Sequence, residues 1–278
     1  MGGAAGSPPD SGMSDLSLED SLSKAARARR VRALDAVLLT LLILAVWQGV
    51  GTWTRGVAVA PPFQTLTYLF DLFRTSMFWD NAAATLCAFV LAFVLSSLMG
   101  LALGLIFGVH RFTGEVAEPI LAGFYTIPKV TLYPVVLLIF GLGISAKVAF
   151  GVMHGLVPMT LFTLGAVRNL SPVLIRMAKV LRLSPVRTML WVLLPACLPD
   201  VVNGLRISFS LTMLGVLIGE MFSSQRGLGF LLVNGMAQNN VPLSTAVVLI
   251  IVVIAIVANT LMLRLGRLTT HRAGDNPL

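Results

Sequence analysis

Hydrophobic patterning along this chain of 278 residues runs on two scales. On the longer scale, apolar runs of roughly 20 residues, enough for a helix to cross a hydrocarbon core, fall near Leu34–Trp53, Ala83–Val109, Pro119–Leu142, Val148–Val167, Pro199–Met221 and Leu243–Leu265. They predict an all-α, polytopic membrane protein with six transmembrane helices. The first, second and sixth runs are unbroken. The third carries Pro128 and Pro134, which remove backbone donors and predict kinks. The fifth carries Asp200 and Arg206.

On the shorter scale, the segment Leu170–Pro195 between the fourth and fifth runs repeats Leu-Ser-Pro-Val, at Leu170–Val173 and Leu183–Val186. In each repeat Ser suits an N-cap and Pro the first helical position, where its missing donor costs nothing. Two short helices joined by a tight bend are predicted. In the first, Leu174, Met177, Ala178 and Leu181 fall at i, i+3, i+4 and i+7, one apolar stripe, flanked by Arg176, Lys179 and Arg182. A basic, amphipathic elbow between two spans reads as a docking surface. The competing reading is a helix resting on lipid headgroups.

Composition agrees with the spans. Hydrophobic residues make up 56% of the chain and charged residues 12%, about half the charged share of soluble domains. The net charge of +8 needs no nucleic acid to explain it, because cytoplasmic loops of membrane proteins are rich in Lys and Arg. With the N-terminus inside, 14 Lys and Arg fall on the cytoplasmic side. Arg55, Arg74, Lys147 and Arg226 fall outside. Both termini and the elbow are then cytoplasmic.

Residues 1–30 are expected to be a disordered cytoplasmic tail, residues 31–270 the transmembrane domain with its core at 83–265, and residues 271–278 a second cytoplasmic tail. The N-terminal stretch lacks the charged-then-apolar order of a signal peptide, so the first span is expected to remain as an anchor. Cys87 and Cys197 are expected to be buried, inert thiols, and His110, His154 and His271 show no metal-ligand spacing. His154 reads as a hydrogen-bonded packing residue. Gly100 and Gly104 permit close helix approach inside the fold. No GxxxxGK[ST] loop is present, so the chain has no means of cradling ATP, and no cofactor is expected.

With the elbow placed between spans four and five, the chain resembles the permease subunits of bacterial binding-protein-dependent ABC importers, in the nitrate/sulfonate/taurine branch. The cytoplasmic signature of that family reads Glu-Ala-Ala, three residues, Gly, nine residues, Ile-x-Leu-Pro. Here it lies on Arg176-Met177-Ala178, Arg182 and Val192-Leu193-Leu194-Pro195. Ala178, Leu194 and Pro195 match, Val192 is conservative, and Arg176 and Arg182 replace Glu and Gly. Ala60-Pro61-Pro62, Ile127-Pro128-Lys129 with Pro134, Phe140-Gly141-Leu142-Gly143, His154-Gly155 with Pro158, Gly204-Leu205-Arg206, Gly219-Glu220 and Gly227-Leu228-Gly229 follow in the family's order.

The resemblance implies an inner-membrane permease without enzymatic activity of its own. It implies two ATP-binding subunits, a second copy of the permease, and a periplasmic or lipid-anchored solute-binding protein. The first elbow helix would be the coupling helix, docked in an ATPase groove through Leu174, Arg176, Met177, Ala178, Leu181, Arg182, Val192, Leu194 and Pro195. The solute would be a small anion, although vitamin-precursor solutes also fit the family.

Charged residues inside membranes usually face a cavity or a partner, which makes Lys129, Arg206 and Glu220 candidates for the translocation pathway. For Lys129 structural pairing or snorkelling is the favoured reading over an anion-attracting one, and for Arg206 a structural ion pair or helix-end contact is favoured. A self-sufficient channel or ion-coupled transporter using the three as a relay is the alternative function.

Overall fold

The computed structural model describes Val31 and residues 34–274, so the expected tail at 1–30 lies outside the described residues. The chain divides into two compact units, with the boundary after Gln64. The first unit holds α1 (Leu34–Trp53), an apolar span. The chain folds back on this helix, where Trp47 Nε1 donates to Ala60 O at 2.9 Å. A Cβ on Gly51 would stand 3.0 Å from Pro61 Cα. Helix α2 (Pro62–Phe73) crosses the boundary.

The second unit is helical throughout its described elements. Its helices are α3 (Ser76–Val109), α4 (Arg111–Thr126), α5 (Tyr133–Phe140), α6 (Ile144–Arg168), α7 (Pro172–Val180), α8 (Pro185–Arg187), α9 (Leu194–Ser223), α10 (Leu228–Ala237) and α11 (Val241–Gly274). Among the described residues, five helices are long and apolar enough to cross a membrane, six if the bent pair α4–α5 is counted as one broken span.

Small residues let the three central spans approach closely. A Cβ added at Gly100, Gly104 or Gly108 of α3 would stand 2.6, 2.4 or 2.7 Å from the Cβ of Met159, Thr163 or Val167 of α6. The GxxxG pair is thus spent on packing inside the subunit. One turn earlier on the same ridge of α6, Gly155 lies against Ser96 of α3 and Ser208 and Thr212 of α9. There Ser208 Oγ donates to Gly155 O at 2.9 Å and the hydroxyls of Ser96 and Thr212 meet at 3.3 Å. Short hydroxyl side chains both permit the approach and bond across it.

The third and fifth spans differ from expectation. The third starts at Arg111 rather than Pro119 and is broken, its halves meeting at 85°. Pro128 sets the break. Ile127 before it is extended (φ −63°, ψ 130°), as the Pro ring requires, and a 3-10 turn at Lys129–Leu132 leads to Pro134 in the first turn of α5.

The second elbow helix is no separate element. Pro185–Phe222 is one 38-residue helical span, because nothing after the Ser184–Pro185 start breaks it. A π turn at Thr188–Leu193 precedes Pro195, and α9 absorbs Pro199. The sixth span, Val241–Arg264, lies where expected, within helix α11, which runs to Gly274. Helix α10 is additional, an apolar helix of 10 residues, too short to cross a bilayer. It packs through Leu228 and Leu231 with Leu72, Phe78, Leu243 and Val247. Of the cysteines, Cys197 is buried and Cys87 exposed.

Candidate functional site

The elbow begins with Ser171, whose hydroxyl accepts from Val173 N at 3.4 Å, and α7 follows with Pro172 at its start. It ends in a Schellman turn. Leu183 N donates to Ala178 O at 3.1 Å and Arg182 N to Lys179 O at 3.0 Å, the 6→1 and 5→2 bonds of that motif. The residue at its left-handed position is Arg182, with φ +49°. The Gly of the family signature falls on the one elbow residue whose backbone favours glycine. Ser184 then accepts from Arg187 N at 3.4 Å and starts the 38-residue span.

The expected stripe divides between two surfaces. Ala178 is buried, and Ile175 packs on the cluster of Met159, Val167, Leu193 and Cys197. Leu174 is half-buried. Met177 and Leu181 are 54% and 65% exposed, joined by Val173 and Val180 at 56% and 81%. The outward apolar row is therefore Val173, Met177, Val180 and Leu181, at i, i+4, i+7 and i+8. Arg176 and Arg182 are exposed beside it. Val192 and Leu194 are half-buried, Leu193 is buried, and Pro195 is exposed. This end of the signature seats the fifth span on its neighbours, while the α7 end faces outward.

At the root of the elbow, Arg168 closes α6 and its guanidinium donates to the Glu118 carboxylate of α4.

The three membrane-embedded candidates occupy separate places. Lys129 lies in the break of the third span, 9% exposed, with Nζ 3.4 Å from Tyr125 O and 4.7 Å above the Tyr125 ring. Arg206 Nε donates to Asn259 Oδ1 of α11 at 3.0 Å, a structural tie between two spans. Glu220 is fully buried. It accepts from Thr85 Oγ1 at 2.8 Å and from Gly229 N at 3.0 Å, and Lys147 Nζ lies 3.7 Å away. Different partners hold each residue, so they form no shared relay.

Glu220 instead anchors a buried network that the sequence reading did not assemble. Leu228 N donates to Thr85 Oγ1 at 2.8 Å, Gly227 N to Asn81 Oδ1 at 2.7 Å, and Lys147 Nζ to Arg226 O at 2.6 Å. The carboxylate thus sits at the N-terminus of α10, where free N–H groups and the helix dipole favour an anion. Gly227 is required there twice over. Its φ is +130°, and a Cβ would stand 2.2 Å from the Glu220 carboxyl.

Lys147, expected outside the membrane with the loop charges, is 6% exposed within this network. Its signal was the pairing of one buried acid with one cation flanked by apolar residues. His154 is buried, with Nδ1 2.9 Å from Phe150 O, as a packing histidine should be.

Residues 96–274 match the family described as binding-protein-dependent transport system inner membrane component. The chain is 30% identical over 230 residues to a probable ABC transporter permease protein of Haemophilus influenzae, covering 82% of this chain and 93% of that one. It is 29% identical over 235 residues to the taurine transport system permease protein TauC of Escherichia coli, covering 82% and 84%. Permeases named for aliphatic sulfonates and for nitrate also match.

The fold is similar to a chain of the MetNI methionine ABC transporter in an inward-facing conformation. That match has a TM-score of 0.56 and 19% identity, over 69% of this chain and 93% of that one. The chain belongs to the inner-membrane permease subunits of binding-protein-dependent ABC importers, in the nitrate, sulfonate and taurine branch, with ATP hydrolysis carried by a separate subunit.

Proposed function

We propose that two copies of this chain form the translocation pathway of an importer for a small anion, with both termini in the cytoplasm and two ATPase subunits beneath. Taurine, in the name of the Escherichia coli relative, is the model for the solute. The elbow docks in an ATPase groove. The observation that carries this reading is the outward row Val173, Met177, Val180 and Leu181 on a helix capped at both ends. Apolar side chains held rigidly outward, with Arg176, Lys179 and Arg182 around them, gain by being covered. The basic rim suits a groove edged with acids.

Of the three pathway candidates we retain Lys129. It lies at a break in a span with a neutral carbonyl and ring as partners, and an ammonium so placed suits an anion. Arg206 and Glu220 hold helices together.

The test is Met177→Asp with Leu181→Asp. Both side chains point away from the subunit core, so the spans should fold normally while co-purification of the ATPase is lost. A few anchors dominate most interfaces. If the double variant still binds ATPase and transports normally, the row does not face the ATPase.

A further inference from the structure

Arg168, the last residue of α6, lies three residues before the Ser171 cap of α7. Its side chain runs along α4. A Cβ on Gly114 would stand 3.5 Å from Arg168 Cδ, and the guanidinium reaches Glu118 four residues further on. Positions 114 and 118 share one helix face. The face therefore offers a small residue under the arm and an acid at its head.

Arg168 borders a gap between α4 and the elbow. A cavity of about 400 Å³ opens there, lined by Gly108 at the end of α3, Glu115 of α4, Val167 at the end of α6, and Pro172 and Ile175 of α7. Contacts of apolar side chains across such a gap slide, whereas a guanidinium–carboxylate pair is directional. Helix α4 is also the first half of the broken span and leads to the 85° bend beside Lys129.

We propose that Arg168 and Glu118 are positioning residues that transmit displacement of the elbow to α4 and so to the break in the third span. The proposal rests on the docking of the elbow to the ATPase. The pair is 31% and 53% exposed, so its loss should bias transmission without abolishing it, by about two- to five-fold.

The experiment uses the complete transporter in proteoliposomes and measures uptake and ATP hydrolysis together. The variants are Glu118→Gln, Arg168→Gln, the double variant, and Arg168→Lys. ATPase should co-purify undiminished with all four, and hydrolysis should stay at the wild-type rate. Uptake per ATP should fall about two- to five-fold in each Gln variant. The double variant should be no worse than either single one, because each group acts through the other. Arg168→Lys, which keeps the charge but not the directional guanidinium, should recover only part of the loss.

Unchanged uptake per ATP in both single variants overturns the proposal, as do losses that multiply in the double variant. Loss of bound ATPase also overturns it, since Glu118 and Arg168 would then act on docking. The docking reading itself is decided by Met177→Asp with Leu181→Asp, so the two failures are distinguishable.

Discussion

Replacing Arg182 with Gly should stabilise the elbow. Arg182 holds φ +49° at the left-handed position of a Schellman turn. There a side chain places Cβ too near the following carbonyl, at a cost of roughly 1–2 kcal/mol. Glycine removes that cost but gives back part of it through the greater freedom of the unfolded chain, about 0.5–1 kcal/mol. The net gain should be about 0.5–1 kcal/mol.

In a turn that opens locally, about 1 kcal/mol is roughly a five-fold change in the open population. Hydrogen exchange in lipid nanodiscs reads this directly. The amides of Leu181, Arg182 and Leu183 donate to Met177, Lys179 and Ala178 at 2.9–3.1 Å, and exchange at residues 181 and 183 should slow about two- to five-fold. Arg182→Ala is the control for charge. It removes the guanidinium and keeps the strained backbone, so its exchange should stay near wild type. Equal protection in the Gly and Ala variants, or none in either, would refute the backbone argument and leave charge as the meaning of this position.

Lys147→Met should leave the Glu220 carboxylate buried without its cation and cost about 3–5 kcal/mol in unfolding experiments in detergent. Lys147→Met with Glu220→Gln should recover part of that, and a single-variant loss under about 1 kcal/mol would contradict the buried pairing. Gly104→Val should prevent α3 from seating on α6, because even a Cβ would stand 2.4 Å from Thr163 Cβ; retention of a monodisperse, folded chain would show that the helices can separate there.

The spans, the elbow and its two Ser-Pro starts were legible because each depends on residues close in sequence. A 20-residue apolar run or a Ser-Pro pair acts locally. The break at Ile127–Lys129 was half legible: Pro128 and Pro134 announced a disturbance, but its size depends on what packs around it. Continuity from Pro185 into the fifth span was hidden because Pro195 and Pro199 suggest an interruption, and the backbone accommodates both.

Helix α10 and the Glu220 network were not legible. Asn81, Thr85, Lys147, Glu220 and Gly227 come from four segments up to 146 residues apart, and no local pattern links them. Gly227-Leu228-Gly229 stands out in the sequence as a motif, yet its reason, room for a carboxylate, exists only in three dimensions. Met177 and Ala178 show the limit of periodicity at finer grain. They are neighbours on the same predicted stripe, and the fold sends one out and the other in.

The uninterrupted span from Pro185 to Phe222 has a mechanical consequence. At 1.5 Å per residue its 38 residues extend about 57 Å, nearly twice the hydrocarbon thickness. It is a lever arm that starts beside the elbow and carries Glu220 near its far end. A tilt of about 5° about one end displaces the other by about 5 Å over that length. Torque applied next to the elbow would then reach the carboxylate that caps α10 through one continuous helical span. The π turn at Thr188–Leu193, just ahead of Pro195, is an irregular stretch along the arm, and compliance there would uncouple its two ends.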